Sequence, residues 1–474
     1  MTMDEAHARD IVERLWAGTV LATLTDYVAI PALSPAYDDR WKESGHIADA
    51  VTLITDWCRE RPIEDLSVEV IALPGRTPLI LLEVAPRGPC PDTVLLYGHI
   101  DKQPEMTGWL PGLGPWTPVL QHGRLYGRGG ADDGYAIFAA LSAIEAVQRS
   151  GGGHARLIVL IEASEESGSP DLPAYVEHLA SRIGDPSLVV CLDSGCLTYE
   201  RLWVTTSLRG MVVGRLEVRV LDQGVHSGEA SGIVPSSFRL LRVLLDRVED
   251  AATGRIIIAE LNDDVPANRV AEADANAREL PSFAREHFPF HGSTRPMTDD
   301  PTEQLLGHTW YPALSVTGAD GLPPTSQAGN VLRAATALKL SLRLPPRVDA
   351  HRAVEALSLA LTRDPPSGSS VSFSDVEWSD GWEAPEPAAW LLDAVGRASR
   401  TAYGPDARFF GEGGSIPFMA MLGARFPTAQ FAIIGVLGPG SSAHGPNEFL
   451  DLSMATRLSL AVSVLLDSHA THAR

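Results

Sequence analysis

The residues able to do chemistry in this 474-residue chain sit in five short segments. Gly98-His99-Ile100-Asp101 comes directly after the apolar run TVLLY. A neutral imidazole is a good metal ligand, and a carboxylate can fix its tautomer through the other ring nitrogen. LYGRGGADDGYA (125–136) places three glycines before Asp132 and Asp133 at the start of a predicted helix. Adjacent like charges repel, so this pair calls for a cation, with Asp132 bridging two ions, or for service as a helix cap. IEASEESGS (161–169) ends another apolar run with Glu165 and Glu166. Neighbouring side chains point in different directions, so one carboxylate can ligate while the other acts as a base toward water.

Asp193 closes the apolar run of VVCLDSG (189–195), where a charge is costly to bury unless it is paired. His444 lies in SSAHGPNEF (441–449), a loop able to complete a metal site from far away in sequence. Each segment alone also has a plain structural reading, as a solvated loop residue or a helix start. Their order and their placement at strand ends favour the metal reading.

The elements that must hold these residues follow from periodicity. Apolar positions over 8–28 and 44–60 predict amphipathic helices. Short runs at 67–73, 78–84, 93–99, 156–163 and 187–193 predict buried strands, with Ala-rich helices over 133–149 and 171–182. This alternation predicts a layered α/β domain with a mixed sheet. From about 207 the texture changes. Alternating strands at 211–221 and 335–344 and helices at 235–249 and 349–363 surround a polar, weakly periodic stretch over 262–312. A helix at 387–403, a strand at 428–435 and a helix at 452–468 restore the first texture. The expected organisation is a catalytic domain of residues 1–206 plus 380–474, interrupted by a smaller α+β domain of residues 207–379.

Composition narrows the function. Hydrophobic residues make up 45% and charged residues 21%, as in an ordinary globular protein. The formal net charge of −22 repels phosphate backbones and argues against a nucleic-acid partner. Four cysteines do not make a disulfide framework, and no segment approaches the length of a membrane span. The N-terminus lacks the apolar core of a signal peptide, so a cytoplasmic setting is expected.

Taken together, the segments resemble the M20 metallopeptidase family, closest to its carnosine-dipeptidase-like branch. YGHID (97–101), YGRGGADDG (126–134), EASEESGSPDL (162–172), TSLRG (206–210), VHSGEASG (225–232), LSLRLPP (340–346), GEGGSIP (411–417) and AHGPNE (443–448) carry the resemblance, which covers nearly the whole chain. It implies two divalent ions, Zn or Mn. His99 and Asp193 would bind one, Glu166 and His444 the other, and Asp132 both. Glu165 would be the general base acting on a bridging water, and Asp101 would orient His99. A cis bond between Asp132 and Asp133 is also implied.

In the inserted domain, His226 would stabilise the oxyanion, often across a dimer in this family. Asn330 and Arg343 would hold the substrate, and Glu412, Gly414 and Ser415 would contact it. The implied reaction is amide hydrolysis in a dipeptide or similar small substrate, with an N-acyl amino acid as the alternative. The implied assembly is a homodimer through the inserted lid domain. Two departures stand out. The family's DDKG reads Asp132-Asp133-Gly134-Tyr135, without the Lys, and Ser379-Asp380 replaces a His before Gly381.

Overall fold

The computed structural model describes residues 2–472. The chain divides into two compact units, one of Met1–Thr206, Ala384–Phe409 and Met421–Arg474, the other of Ser207–Glu383 and Phe410–Ala420.

The first unit is built on a mixed sheet. Its order is Leu66–Ile71, Leu79–Val84, Arg156–Glu162, Thr93–His99, Leu188–Cys191, Gln430–Ile433 and Trp203–Leu208. The four strands from Arg156–Glu162 to Gln430–Ile433 are parallel. Their residues are almost wholly buried, as expected where helices cover both faces. The helices Tyr135–Arg149 and Leu452–His472 pack against one another, and most of their residues are buried. The parallel strands end together. His99 is therefore the last residue of its strand, and Glu165 and Asp193 follow two neighbouring strand ends.

Local chemistry breaks some expected elements. The helix expected over 8–28 is two helices, Glu5–Leu15 and Leu21–Val28, joined by a wider turn in which Gly18 leaves helical geometry (φ −113°, ψ −108°). The helix expected over 171–182 likewise splits into Leu172–His178 and Ala180–Ile183.

The second unit holds a four-stranded antiparallel sheet ordered Ala313–Asp320, Ala335–Leu344, Gly210–Arg219 and Ser370–Ser379. The helices Ser237–Leu245 and Ala350–Thr362 contribute Leu240, Leu241, Leu244, Ala353, Leu357 and Leu361 to its core. Both begin at side-chain caps, Ser236 on Arg239 N and Asp349 on Arg352 N. The stretch 262–312 is more ordered than its polarity suggests, containing helices Ala267–Glu279, Phe283–His287 and Pro301–Thr309.

Residues 380–383 and 410–420, expected with the first domain, group with the second unit. Trp382 and Glu383 pair with Leu208 and Ser207, and the backbone N–H of Arg209 donates to Gly414 O at 3.1 Å. These bonds are invisible to periodicity because they join segments about 200 residues apart.

Candidate metal centre

His99, Asp132 and Asp193 form one group of potential ligands, and Asp132, Glu166 and His444 form another. Within each group the ligand atoms lie within 4.8 Å of one another. Asp132 belongs to both. Its Oδ1 is 3.4 Å from His99 Nε2, and its Oδ2 is 3.0 Å from His444 Nε2. Asp193 Oδ2 lies 3.9 Å from His99 Nε2, and Glu166 Oε2 lies 3.4 Å from His444 Nε2. The Asp132–Asp133 peptide bond is cis.

Hydrogen bonds behind the site hold the ligands. The Asp101 carboxylate accepts from the backbone N–H groups of Glu165 and Glu166, both at 3.0 Å. This fixes the turn that presents the two glutamates. His99 Nδ1 is 3.1 Å from the Asp101 carbonyl oxygen and 3.5 Å from its Oδ1. Both the carbonyl and the carboxylate of Asp101 therefore face His99 Nδ1. Asp133 accepts from His99 N at 3.2 Å. A Cβ at Gly98 would lie 2.7 Å from Asp133 Oδ2 and 2.6 Å from Ala136 Cβ, so this close approach requires glycine there.

The donor set fits metal ions on three counts. First, His99 Nε2 is buried without a hydrogen-bond partner, pointing among carboxylates. Second, the carboxylates crowd one another. Burial and the Asp193 charge push Glu165 well above the usual carboxylate range, and burial and Asp132 do the same to Glu166. A cation relieves both effects. Third, imidazole nitrogens and carboxylate oxygens suit borderline divalent ions, and all five candidate ligands have them. Glu165 is in neither group; its Oε2 is 3.9 Å from His99 Nε2, and its side chain is 12% exposed. It stands beside the two groups.

Residues 95–467 match the family model described as peptidase family M20/M25/M40. The chain belongs to this peptidase family. Among relatives, the M20 chain is 28% identical over 384 residues to a cysteinylglycine-S-conjugate dipeptidase of Corynebacterium striatum, covering 80% of this chain and 82% of that protein. It is 28% identical over 358 residues to the human Beta-Ala-His dipeptidase, covering 73% and 68%. The solved structure of the dipeptidase Dug1p from Saccharomyces cerevisiae shares its fold, with a TM-score of 0.79 at 23% identity over 99% of both chains.

The other residues singled out in this M20 peptidase lie in the second unit. His226 and Asn330 are close, since Ser227 N donates to Asn330 O at 3.0 Å and His226 pairs with Val331. His226 is exposed. Arg343 donates to Ser415 Oγ at 3.0 Å, and Ser415 Oγ donates to Arg209 O at 2.5 Å. Glu412 ends the strand Arg408–Glu412 and directly precedes Gly413 and Gly414, whose carbonyls accept from Arg209 Nε and Arg209 N. Asp380 has a structural task, accepting from Ala350 N at 2.9 Å at the start of a helix.

Several supporting residues carry no signal in the sequence pattern. Gln103 Nε2 donates to Glu166 Oε2 at 2.6 Å. Arg128 and Glu448 pair across the sequence. Glu162 accepts from Tyr97, Ser164 and Ser169 behind the glutamate turn, and burial raises its carboxyl to about 7. Gln103, Arg128 and Glu448 lie inside or beside the motifs, but nothing in their spacing says which partner they meet.

Proposed function

We propose that this M20 peptidase is a dinuclear metallodipeptidase. The observation that carries the reading is the placement of Asp132 between His99 and His444, one carboxylate oxygen toward each. His99 and Asp193 would hold one divalent ion, Glu166 and His444 the other, and Asp132 both. Zn and Mn both suit this donor set. Bound ions supply Lewis acidity, which polarises a scissile carbonyl and lowers the pKa of water.

The chain's own residues do the rest. Glu165, outside the ligand groups, takes the proton of the attacking water and returns it to the departing amine. Asp101 keeps Glu165 and Glu166 in place by accepting both of their amide protons. The roles of His226 on the oxyanion, Asn330 and Arg343 on the substrate, and Glu412, Gly414 and Ser415 around it belong to the same proposal. They rest on the sequence pattern. Arg343 supports it further, because among the described residues its guanidinium donates to the neutral Ser415 hydroxyl and retains further donors.

Among the described residues no helix is long and apolar enough to cross a membrane, and all four cysteines are free and buried. The free thiols fit a reducing, cytoplasmic place of work, which belongs to the same proposal. Assembly as a homodimer through the second unit is part of the proposal. Mixing Glu165→Ala with His226→Ala chains under subunit exchange restores activity if sites are shared across the dimer, and fails to do so if each chain is self-sufficient.

The substrate class is tested by comparing dipeptides with N-acyl amino acids in one metal-loaded preparation. The reading expects higher kcat/KM on dipeptides. Preference for N-acyl amino acids would make the protein a deacylase with the same centre.

A further inference from the structure

Among the described residues, Lys102 is a buried lysine with no carboxylate in hydrogen-bond range. It follows the YGHID segment, its side chain is inaccessible to solvent, and its ammonium is spent on main-chain oxygens. Lys102 Nζ donates to Tyr27 O at 2.8 Å, Val28 O at 3.3 Å and Ile30 O at 2.8 Å. These carbonyls lie at and just beyond the C-terminal end of the helix Leu21–Val28, where a cation is favoured by the helix dipole. The ammonium also lies 3.9 Å from the centre of the Tyr27 ring. The main chain is tied to the same segment, because Lys102 N donates to Ala32 O and Ser34 N donates to Lys102 O, both at 3.0 Å.

The segment thus fastened, residues 27–34, touches each of three ligand-bearing loops. At the loop of His99, Tyr27 OH donates to Ile100 O at 2.8 Å. At the loop of Asp132, a Cβ on Gly134 would lie 2.1 Å from Tyr27 Cε1, and one on Gly127 would lie 2.2 Å from Val28 Cγ1. The stem of Lys102 itself fills the space beside Gly129, where a Cβ would lie 2.6 Å from its Cγ. At the loop of Glu165 and Glu166, Ser34 Oγ and Ser167 Oγ are 2.5 Å apart. Position 134, where the DDKG pattern has Lys, has no room for a side chain here because the Tyr27 ring and the Gly129 carbonyl occupy it.

We infer that Lys102 is a positioning residue for the metal centre, fastening residues 27–34 as a brace across the loops that carry His99, Asp132 and Glu166. The inference rests on the metal reading above. Lys102 lies outside both groups of candidate ligands and acts through the brace. Residues that orient ligands from behind typically change metal affinity or activity about 10–100-fold when lost.

The test is competitive metal titration of Lys102→Met against a chromophoric chelator, well below the variant's melting temperature, together with kcat and KM at saturating metal. The expected result is metal binding weakened ~10-fold or more, with kcat falling while KM stays within twofold. Folded Lys102→Met that binds metal and turns over within twofold of the parent overturns the inference, even if it melts earlier. Should Lys102→Met not fold, Gly134→Ala displaces the Tyr27 ring while keeping the lysine. It is expected to weaken metal binding likewise, and unchanged affinity overturns the inference. A parent chain that binds no metal would refute the metal reading itself, which separates the two failures.

Discussion

Arg128 and Glu448 lie 320 positions apart in the chain, yet the Arg128 guanidinium donates to Glu448 Oε2 at 2.5 Å with both side chains buried. Arg128 also donates to Gly445 O, and Glu448 accepts from Gly129 N. The pair therefore locks the His444 loop to the Asp132 loop. Removing one partner leaves an uncompensated buried charge, so Arg128→Met should cost about 3–5 kcal/mol in chemical denaturation. The double variant Arg128→Met/Glu448→Met should lose less than the sum of the single variants. Strict additivity would contradict the lock.

Glu165→Gln keeps the shape of the side chain and removes the base. Turnover should fall on the order of 10²–10⁴-fold, the usual contribution of a general base. Metal content, read by elemental analysis, should stay at the parent level. Substantial residual activity would take the base role from Glu165.

Asp101→Asn replaces one carboxylate oxygen, which accepts an amide proton, with a donor facing that same N–H. The Glu165–Glu166 turn should loosen, with kcat down roughly 10–100-fold. If kcat is unchanged, the turn does not depend on Asp101.

His308 packs among Phe283, His287 and Phe288. Burial, then Arg209 and His287, lower its imidazole from the usual value to about 3. A base whose folded pKa is depressed binds its proton more readily when unfolded. The stability linked to it is thus intact above about 6.5 and is lost as pH falls toward 3. His308→Leu should flatten that part of the stability-against-pH curve, measured by denaturation at a series of pH values. An unchanged slope between those limits would show that His308 does not set it.

Much of this was legible in the sequence. The strand at Thr93–His99 lies where its apolar run predicted, because a buried parallel strand has one composition from end to end. All five candidate ligands converge, since each sits at or after a strand end or in a loop returning to it. What stayed hidden depends on pairings that spacing cannot carry. Gly18 looks like any glycine in an amphipathic pattern until the helix breaks there. The 410–420 segment reads as part of the returning α/β texture, but its carbonyls are taken by Arg209. Asp380 looks like a pocket residue by its neighbours and is a helix cap by its bond to Ala350 N. Lys102 gives no periodic signal, because its burial is decided by carbonyls more than 70 residues earlier.

Asp132 belongs to both groups of candidate ligands and would hold two metal ions, so stoichiometry is decisive. Purified chain would be stripped of metal, reloaded with Zn or Mn and analysed for bound ions per chain, with dipeptide hydrolysis followed in parallel. The expected result is two ions per parent chain, one in His444→Ala, and hydrolysis that disappears on chelation and returns on reloading. One ion or none in the parent, or hydrolysis indifferent to chelation, would contradict it.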